Sequence, residues 1–201
     1  MEEPTNDYKT EIENDVLFLD TDMIITNEIN DIDYSKDLGI SPAYINDTDM
    51  KKVGYYNGGM IWVKNKNIPN RWIELTKESR YYDQASIDDL EKEFTNFKFG
   101  ENYNYQSWRF RLSNEKVEEL KNNFIINNNN IFYKGEELKS IHTHFLQHGL
   151  HKDFNQFIID LLVKAKKYKE ILCIFKILND GNWMIHYPKQ PQNGIAKHNN
   201  D

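Results

Sequence analysis

Apolar positions along this chain fall into short blocks separated by acidic and asparagine-rich stretches, and the spacing within each block predicts its element. Val16-Leu17-Phe18-Leu19, bounded by Asp15 and Asp20, is a continuous apolar run. It predicts a strand buried on both faces, of the kind found in a mostly parallel sheet. The polar stretch that follows, to about Lys52, reads as loop or irregular helix. Val53-Gly54-Tyr55-Tyr56 and Met60-Ile61-Trp62-Val63 predict a strand pair around Asn57-Gly58-Gly59, where the glycines permit close backbone approach. Ile87, Leu90 and Phe94 recur at helical spacing, so Asp83 and Gln84 open a helix. A second, short helix spans 115–122, with Asn114 as its cap and Val117 and Leu120 as its apolar side. The Asn127 to Asn130 run predicts a loop before a strand at Ile131-Phe132-Tyr133. If Ser140 to Phe145 is a strand, alternation sends His142 and His144 to one face. Phe154, Phe157, Ile158, Leu161, Leu162 and Ala165 form the clearest amphipathic helix. Ile171 to Leu178 and Trp183 to Tyr187 flank Asn179-Asp180-Gly181-Asn182 and predict a hairpin.

Composition narrows the class. The 201 residues accommodate one α/β domain, taken here as 1–187, followed by a tail over 188–201 expected to be disordered. Lys and Arg total 25 against 32 Asp and Glu, giving a formal charge of -7. Nothing in that balance supplies a basic surface for a nucleic-acid backbone. No apolar run reaches the roughly 18 to 20 residues of a membrane span, and Met1-Glu2-Glu3 lacks the order of a signal peptide. The expectation is a soluble cytoplasmic protein. Cys173 is the single cysteine and lies in an apolar run, which predicts a packed thiol and excludes an internal disulfide. His148 and His151 read as exposed loop residues, and Trp62, Trp72 and Trp108 as core, with Trp108 also able to line a ligand groove.

The chemistry begins at Asp20-Thr21-Asp22, where two carboxylates leave a strand end. Three readings fit an Asp-x-Asp in that place. The acids could be solvated, could hold a divalent cation, or could serve as nucleophile and acid/base of a phosphohydrolase. The last fits less well: Ile24 stands where such enzymes carry Thr or Val, and Asp88-Asp89 falls in a helix instead of at a strand end.

Taken in order, 16–24, Tyr56 to Val63, Tyr82-Asp83-Gln84, Asn102-Tyr103-Asn104-Tyr105-Gln106 and Ile141 to His144 resemble the catalytic part of GT-A nucleotide-sugar glycosyltransferases. The likeness is to the family 8 type, which includes glycogenin-like and bacterial galactosyltransferase members. It covers roughly residues 15 to 145, and five ordered blocks are more specific than any one of them. The resemblance implies a GT-A-like mixed sheet with flanking helices and transfer of a sugar from a nucleotide-diphosphate donor, a UDP-sugar, to a carbohydrate or protein acceptor. It implies that Asp20 and Asp22 bind Mn²⁺ or Mg²⁺, with His142 or His144 as third ligand. Asn57, Gly58 and Gly59 would lie beside the donor sugar, Asp83 would contact its hydroxyls, and Gln84 would lie near the reacting face. After the histidines the family continues through Gly to Lys-Pro-Trp, whereas this chain reads Phe145-Leu146-Gln147-His148-Gly149-Leu150-His151-Lys152. In that family a nucleotide-binding half precedes the Asp-x-Asp strand; here 19 residues do. The resulting expectation is an N-terminally truncated domain, active when a partner chain or a longer form of the protein supplies that half, or else a non-catalytic remnant.

Overall fold

The computed structural model describes residues 15–180; side chains of Leu146, His148 and residues 177–180 are left aside. The expected strand at 183–187 and the tail lie outside the described residues. The fold is mixed α/β, with three small sheets and helices packed between and around them.

The first strand, β1 (Val16–Leu19), runs antiparallel to a later strand at the edge of a sheet, with Val16 44% and Phe18 46% exposed. This corrects the expected doubly buried strand of a parallel sheet. An apolar run shorter than a helix cannot distinguish the two settings; on the outward face of β1, Phe18 meets Trp72 edge-on. After the tight turn at Asp20 to Met23 the chain enters β2 (Met23–Ile25), which belongs to a different sheet. The stretch expected as loop or irregular helix contains the helix α1 (Asp47–Val53), but also a strand, β3 (Leu38–Pro42). β3 hides because it is only five residues long and carries Gly39 and Pro42. Leu38 and Ile40 are nonetheless fully buried, and burying two such side chains contributes roughly 3–6 kcal/mol.

β4 (Tyr56–Val63) is one continuous strand where a pair was expected. Neither Gly58 nor Gly59 has positive φ, so the glycines do not turn the chain. Instead the register slips: Ile40 faces Ile61 while the next residue, Ser41, faces Asn57. This bulge lifts Gly58 and Gly59 away from β3, a distortion of the kind that re-aims side chains beside functional sites. Val53, expected in a strand, ends α1, and Gly54 at φ 110° donates its N–H back to Met50.

Next come α2 (Ile68–Thr76), a 3-10 turn over Gln84–Ser86 and α3 (Ile87–Glu93), which confirms a helical start at Asp83 and Gln84 and places Asp88 and Asp89 in a helix. β5 (Asn96–Lys98) closes the first sheet in the order β1-β4-β3-β5, parallel to β3. β6 (Tyr105–Gln106) is followed by α4 (Arg109–Leu112) and α5 (Val117–Asn122), whose cap is Lys116 with its N–H on Glu119, not Asn114. The asparagine run is the turn of a hairpin between β7 (Phe124–Asn127) and β8 (Asn130–Tyr133). Asn128 and Asn129 take φ of 48° and 64°, the pair of positive angles a type I′ turn needs. β9 (Glu136–Glu137) extends this sheet, and β10 (Ser140–His142) forms the centre of the order β2-β10-β6.

The amphipathic helix is α6 (His148–Lys164), kinked at His151, and it buries Phe154, Ile158, Leu161 and Leu162. The expected strand at 171–178 is helical, within α7 (Tyr168–Asp180). Ile171 and Ile174 bury while Leu172 is exposed, a three-residue spacing that a short apolar run conceals. On that helix Cys173 is exposed, which corrects the expected packed thiol. Trp62 is buried in the core as expected, and Trp72 packs, partly buried, against a neighbouring cluster that includes Ile68, Ile87 and Leu90.

Candidate metal centre

The turn between β1 and β2 bridges the first two sheets, and this fixes its two acids. Asp20 donates its backbone N–H to the Gly59 carbonyl at 2.9 Å, continuing the β1–β4 ladder. The Asp22 carbonyl accepts both the N–H (3.1 Å) and the hydroxyl (2.6 Å) of Thr143, just past β10. One carboxylate therefore belongs to each sheet, and both turn toward the end of β10.

There His142 meets them. Its Nε2 lies 3.1 Å from Asp22 Oδ1 and 3.4 Å from Asp20 Oδ2, while His144 Nδ1 is 3.6 Å from Asp22 Oδ2. Asp22, His142 and His144 present ligand atoms all within 4.8 Å of one another. The two rings stack at 5.3 Å. β10 ends at His142, and Thr143, held to the Asp22 carbonyl, carries the chain on to His144. Burial raises the Asp20 carboxyl above its ordinary range, opposed by His142 and reinforced by the charges of Asp22 and Asp83. At Asp22 burial works in the same direction, but the hydrogen bond and charge of His142, with that of His144, hold the carboxyl below its usual range. Burial and the neighbouring His142 push the His144 ring down, against the pull of Asp22.

On its other side the His142 ring lies against the bulge. Nδ1 is 3.0 Å from Asn57 Oδ1, which also accepts from the Gly59 N–H (3.0 Å) and Asn104 Nδ2 (2.9 Å). Asn57 Nδ2 donates to Gln106 Oε1 at 3.0 Å and approaches Gln84 Oε1 at 3.5 Å. Gly59 leaves room for the ring: a Cβ there would stand 2.2 Å from His142 Cε1. A Cβ on Gly58 would meet only Ile87, at 3.9 Å, so the second glycine faces away from the histidine.

The structure thus gathers Asp20, Asp22, His142, His144, Asn57, Gly59 and Gln84. Asp83 stands exposed at the rim, near enough for its charge to act on Asp20. His151, expected on an exposed loop, is 3% exposed and wedged between Trp108 (4.7 Å, edge-on) and His144 (4.9 Å, stacked). Its pKa is pushed down to about 4 by burial, with His144 and Arg111 adding to it. Trp108 is half-buried against these rings. The sequence reading assigns Asn104 and Gln106 no role, although the alternation of Tyr103 and Tyr105 with Asn104 and Gln106 is the signal that the two amides share a face.

Two aspartate oxygens and an imidazole nitrogen are a donor set that suits Mn²⁺ better than Ca²⁺, which takes oxygen ligands almost exclusively. Among the described residues no helix is long and apolar enough to cross a membrane. No family model and no curated protein matches the chain. Among solved structures it is similar to the glycosyltransferase GlyE of Streptococcus pneumoniae TIGR4, at 22% identity with a TM-score of 0.39. That match covers 52% of this chain and 29% of the other, a likeness too low to carry an argument.

Proposed function

We propose that this chain carries the metal-binding and sugar-handling residues of a GT-A-type glycosyltransferase that uses a nucleoside-diphosphate sugar, with UDP as the nucleotide. The observation that carries the reading is the convergence of Asp20 and Asp22 oxygens on His142 Nε2 at 3.4 and 3.1 Å, at the end of the strand where the sequence motif put it. These three residues would hold Mn²⁺ or Mg²⁺, with His144 beside them as an alternative nitrogen donor. When bound, the ion supplies the positive charge that lets an acidic protein hold a diphosphate and stabilises it as a leaving group.

The remaining steps belong to the chain's own side chains. Gln84 is held at one end by the Val53 carbonyl, which accepts from its Nε2 at 3.1 Å, and its Oε1 faces the Asn57 amide. That places a fixed amide dipole beside the centre, fit to steady charge developing on the sugar. Asp83, the preceding residue, offers an exposed carboxylate that accepts hydrogen bonds from sugar hydroxyls. Its backbone carbonyl is tied down by the Trp72 indole N–H at 3.0 Å and the Ser86 hydroxyl at 2.5 Å, so the 3-10 turn that carries both residues is anchored.

Calorimetric titration with UDP, with and without Mn²⁺, tests the reading. Binding should need the metal and should be lost in His142→Ala. Metal-independent binding, or a His142→Ala variant that binds like the parent, would overturn it. An aspartyl-phosphate trapped with a phosphate mimic would replace it with phosphohydrolase chemistry at Asp20.

A further inference from the structure

A cavity of about 400 Å³ opens beside the metal centre, between β2 and the start of α7, and its size is ordinary for a small-molecule site. Asp22 and Thr143 line it, so it shares a wall with the centre. Its floor is apolar: Ile24, Phe145 and Ile174 belong to one packed cluster. Its rim is polar, with Lys169 exposed and Glu170 half-buried, one helical turn before Cys173 and Ile174 on the same side of α7.

The metal centre has two flanks. Asp20 lies on the β4 side, where its N–H meets the Gly59 carbonyl and where Asn57, Gln84 and Asp83 stand. Asp22 lies on the β10 side, tied to Thr143, and the cavity opens there, lined by none of the β4-side residues. A nucleoside-diphosphate sugar held at its diphosphate between the two acids has a body to place at each end. Sugar hydroxyls need polar partners, and in the cavity they would be buried against Ile24, Phe145 and Ile174 without them, which is costly. A nucleobase joins flat faces that stack to an edge that both donates and accepts. Such an edge matches the Lys169 ammonium, which donates, and the Glu170 carboxylate, which accepts.

We propose that this cavity receives the nucleoside of the donor, with the base over Ile24, Phe145 and Ile174 and its edge toward Lys169 and Glu170. The diphosphate then spans from the Asp22 flank to the Asp20 flank, and the sugar falls beside Asn57, Asp83 and Gln84. The assignment rests on the metal-centre reading for the diphosphate, and gives the nucleoside a place built by this chain's own β2 and α7.

Cys173 reports on the cavity, because it is the chain's single cysteine, is exposed, and lines the cavity. The test follows its alkylation by N-ethylmaleimide, read by mass spectrometry of the full chain, in Mn²⁺ alone, with Mn²⁺ and UDP, and with Mn²⁺ and pyrophosphate. Pyrophosphate carries the phosphates without the nucleoside. The thiol should react equally fast in Mn²⁺ alone and with pyrophosphate, and about tenfold more slowly with UDP at ten times its Kd. Calorimetry on Cys173→Trp, which fills the mouth from an exposed helix position, should show UDP binding weakened roughly 10–100-fold and pyrophosphate binding retained. Equal protection by UDP and pyrophosphate, no protection by bound UDP, or a thiol unreactive in Mn²⁺ alone each overturns the proposal and leaves the metal centre standing. So does a Cys173→Trp chain that binds UDP like the parent. If neither UDP nor pyrophosphate binds in the presence of Mn²⁺, the metal-centre reading falls and this assignment falls with it.

Discussion

Gly59→Ala is a single-methyl test of how His142 is seated. An added Cβ would lie 2.2 Å from His142 Cε1, 2.5 Å from Nδ1 and 2.9 Å from Asn57 Oδ1, where ordinary contact begins at 3.4 Å. Relief requires the ring to move by more than about 1 Å, and it has little freedom to do so. Its backbone is paired with β2 on one side and β6 on the other, and its Nδ1 is held by Asn57. A misplacement of that size costs on the order of 100-fold in a site that depends on geometry, or about 2.7 kcal/mol. Mn²⁺ affinity should fall by that factor when measured by calorimetry. Two other glycines serve as controls. Gly58→Ala meets only Ile87 at 3.9 Å, and should leave affinity unchanged while stabilising the chain by about 0.4–1 kcal/mol through its unfolded state. Gly39→Ala collides with the Phe97 ring at 2.6 Å, remote from the carboxylates, and should lower stability with little effect on metal affinity in the folded fraction. A Gly59→Ala chain that folds and binds Mn²⁺ with parental affinity would refute the reasoning.

Asp20→Asn should raise the melting temperature of the metal-free chain at neutral pH. Burial and the neighbouring Asp22 and Asp83 raise the Asp20 pKa, so its stabilising contribution is lost as pH rises through that folded value, and a neutral amide avoids the loss. The same variant should lose the upward shift that Mn²⁺ gives the parent. His151, held at about 4, stays neutral in the fold while the unfolded ring takes a proton near 6.5, so the unfolded state binds more protons between those values. Stability should therefore fall as pH drops through that window, and urea titrations of His151→Leu should show a slope shallower by at most about 1.4 kcal/mol per pH unit. At the β7–β8 turn, Asn129→Gly should raise stability by several tenths of a kcal/mol and Asn129→Val should lower it by about 1–2 kcal/mol, read from denaturant midpoints.

The legible parts of the sequence were those whose pattern is local. α6 announced itself by an apolar stripe of several turns, and Asp20-x-Asp22 by two acids at the end of an apolar run. The illegible parts depend on partners distant along the chain. β3 is short and interrupted by Gly39 and Pro42, and only its place between β4 and β5 makes it a strand. Asn57-Gly58-Gly59 carries the composition of a turn, yet the Asp20 N–H on the Gly59 carbonyl on one side and a slipped register that pairs Asn57 with Ser41 on the other hold it within β4. α7 reads as a strand because Ile171 to Phe175 is apolar without visible period, and only packing on α6 shows which residues bury. His151 read as a loop residue because its burial comes from Trp108, more than forty positions earlier. In the site, residue types were readable and the support was not: that Asn57 meets Gln106 and His142 follows from contacts spanning 49 and 85 positions.

The central claim is that Asp20, Asp22 and His142 form a divalent-cation site. Calorimetric titration of the chain with Mn²⁺ alone, at neutral pH, beside an Asp20→Ala, Asp22→Ala double variant, tests it most directly. The account predicts one saturable site in the parent and none in the double variant, with both proteins folded by circular dichroism. Equal heats of binding in the two, or none in either, would contradict it.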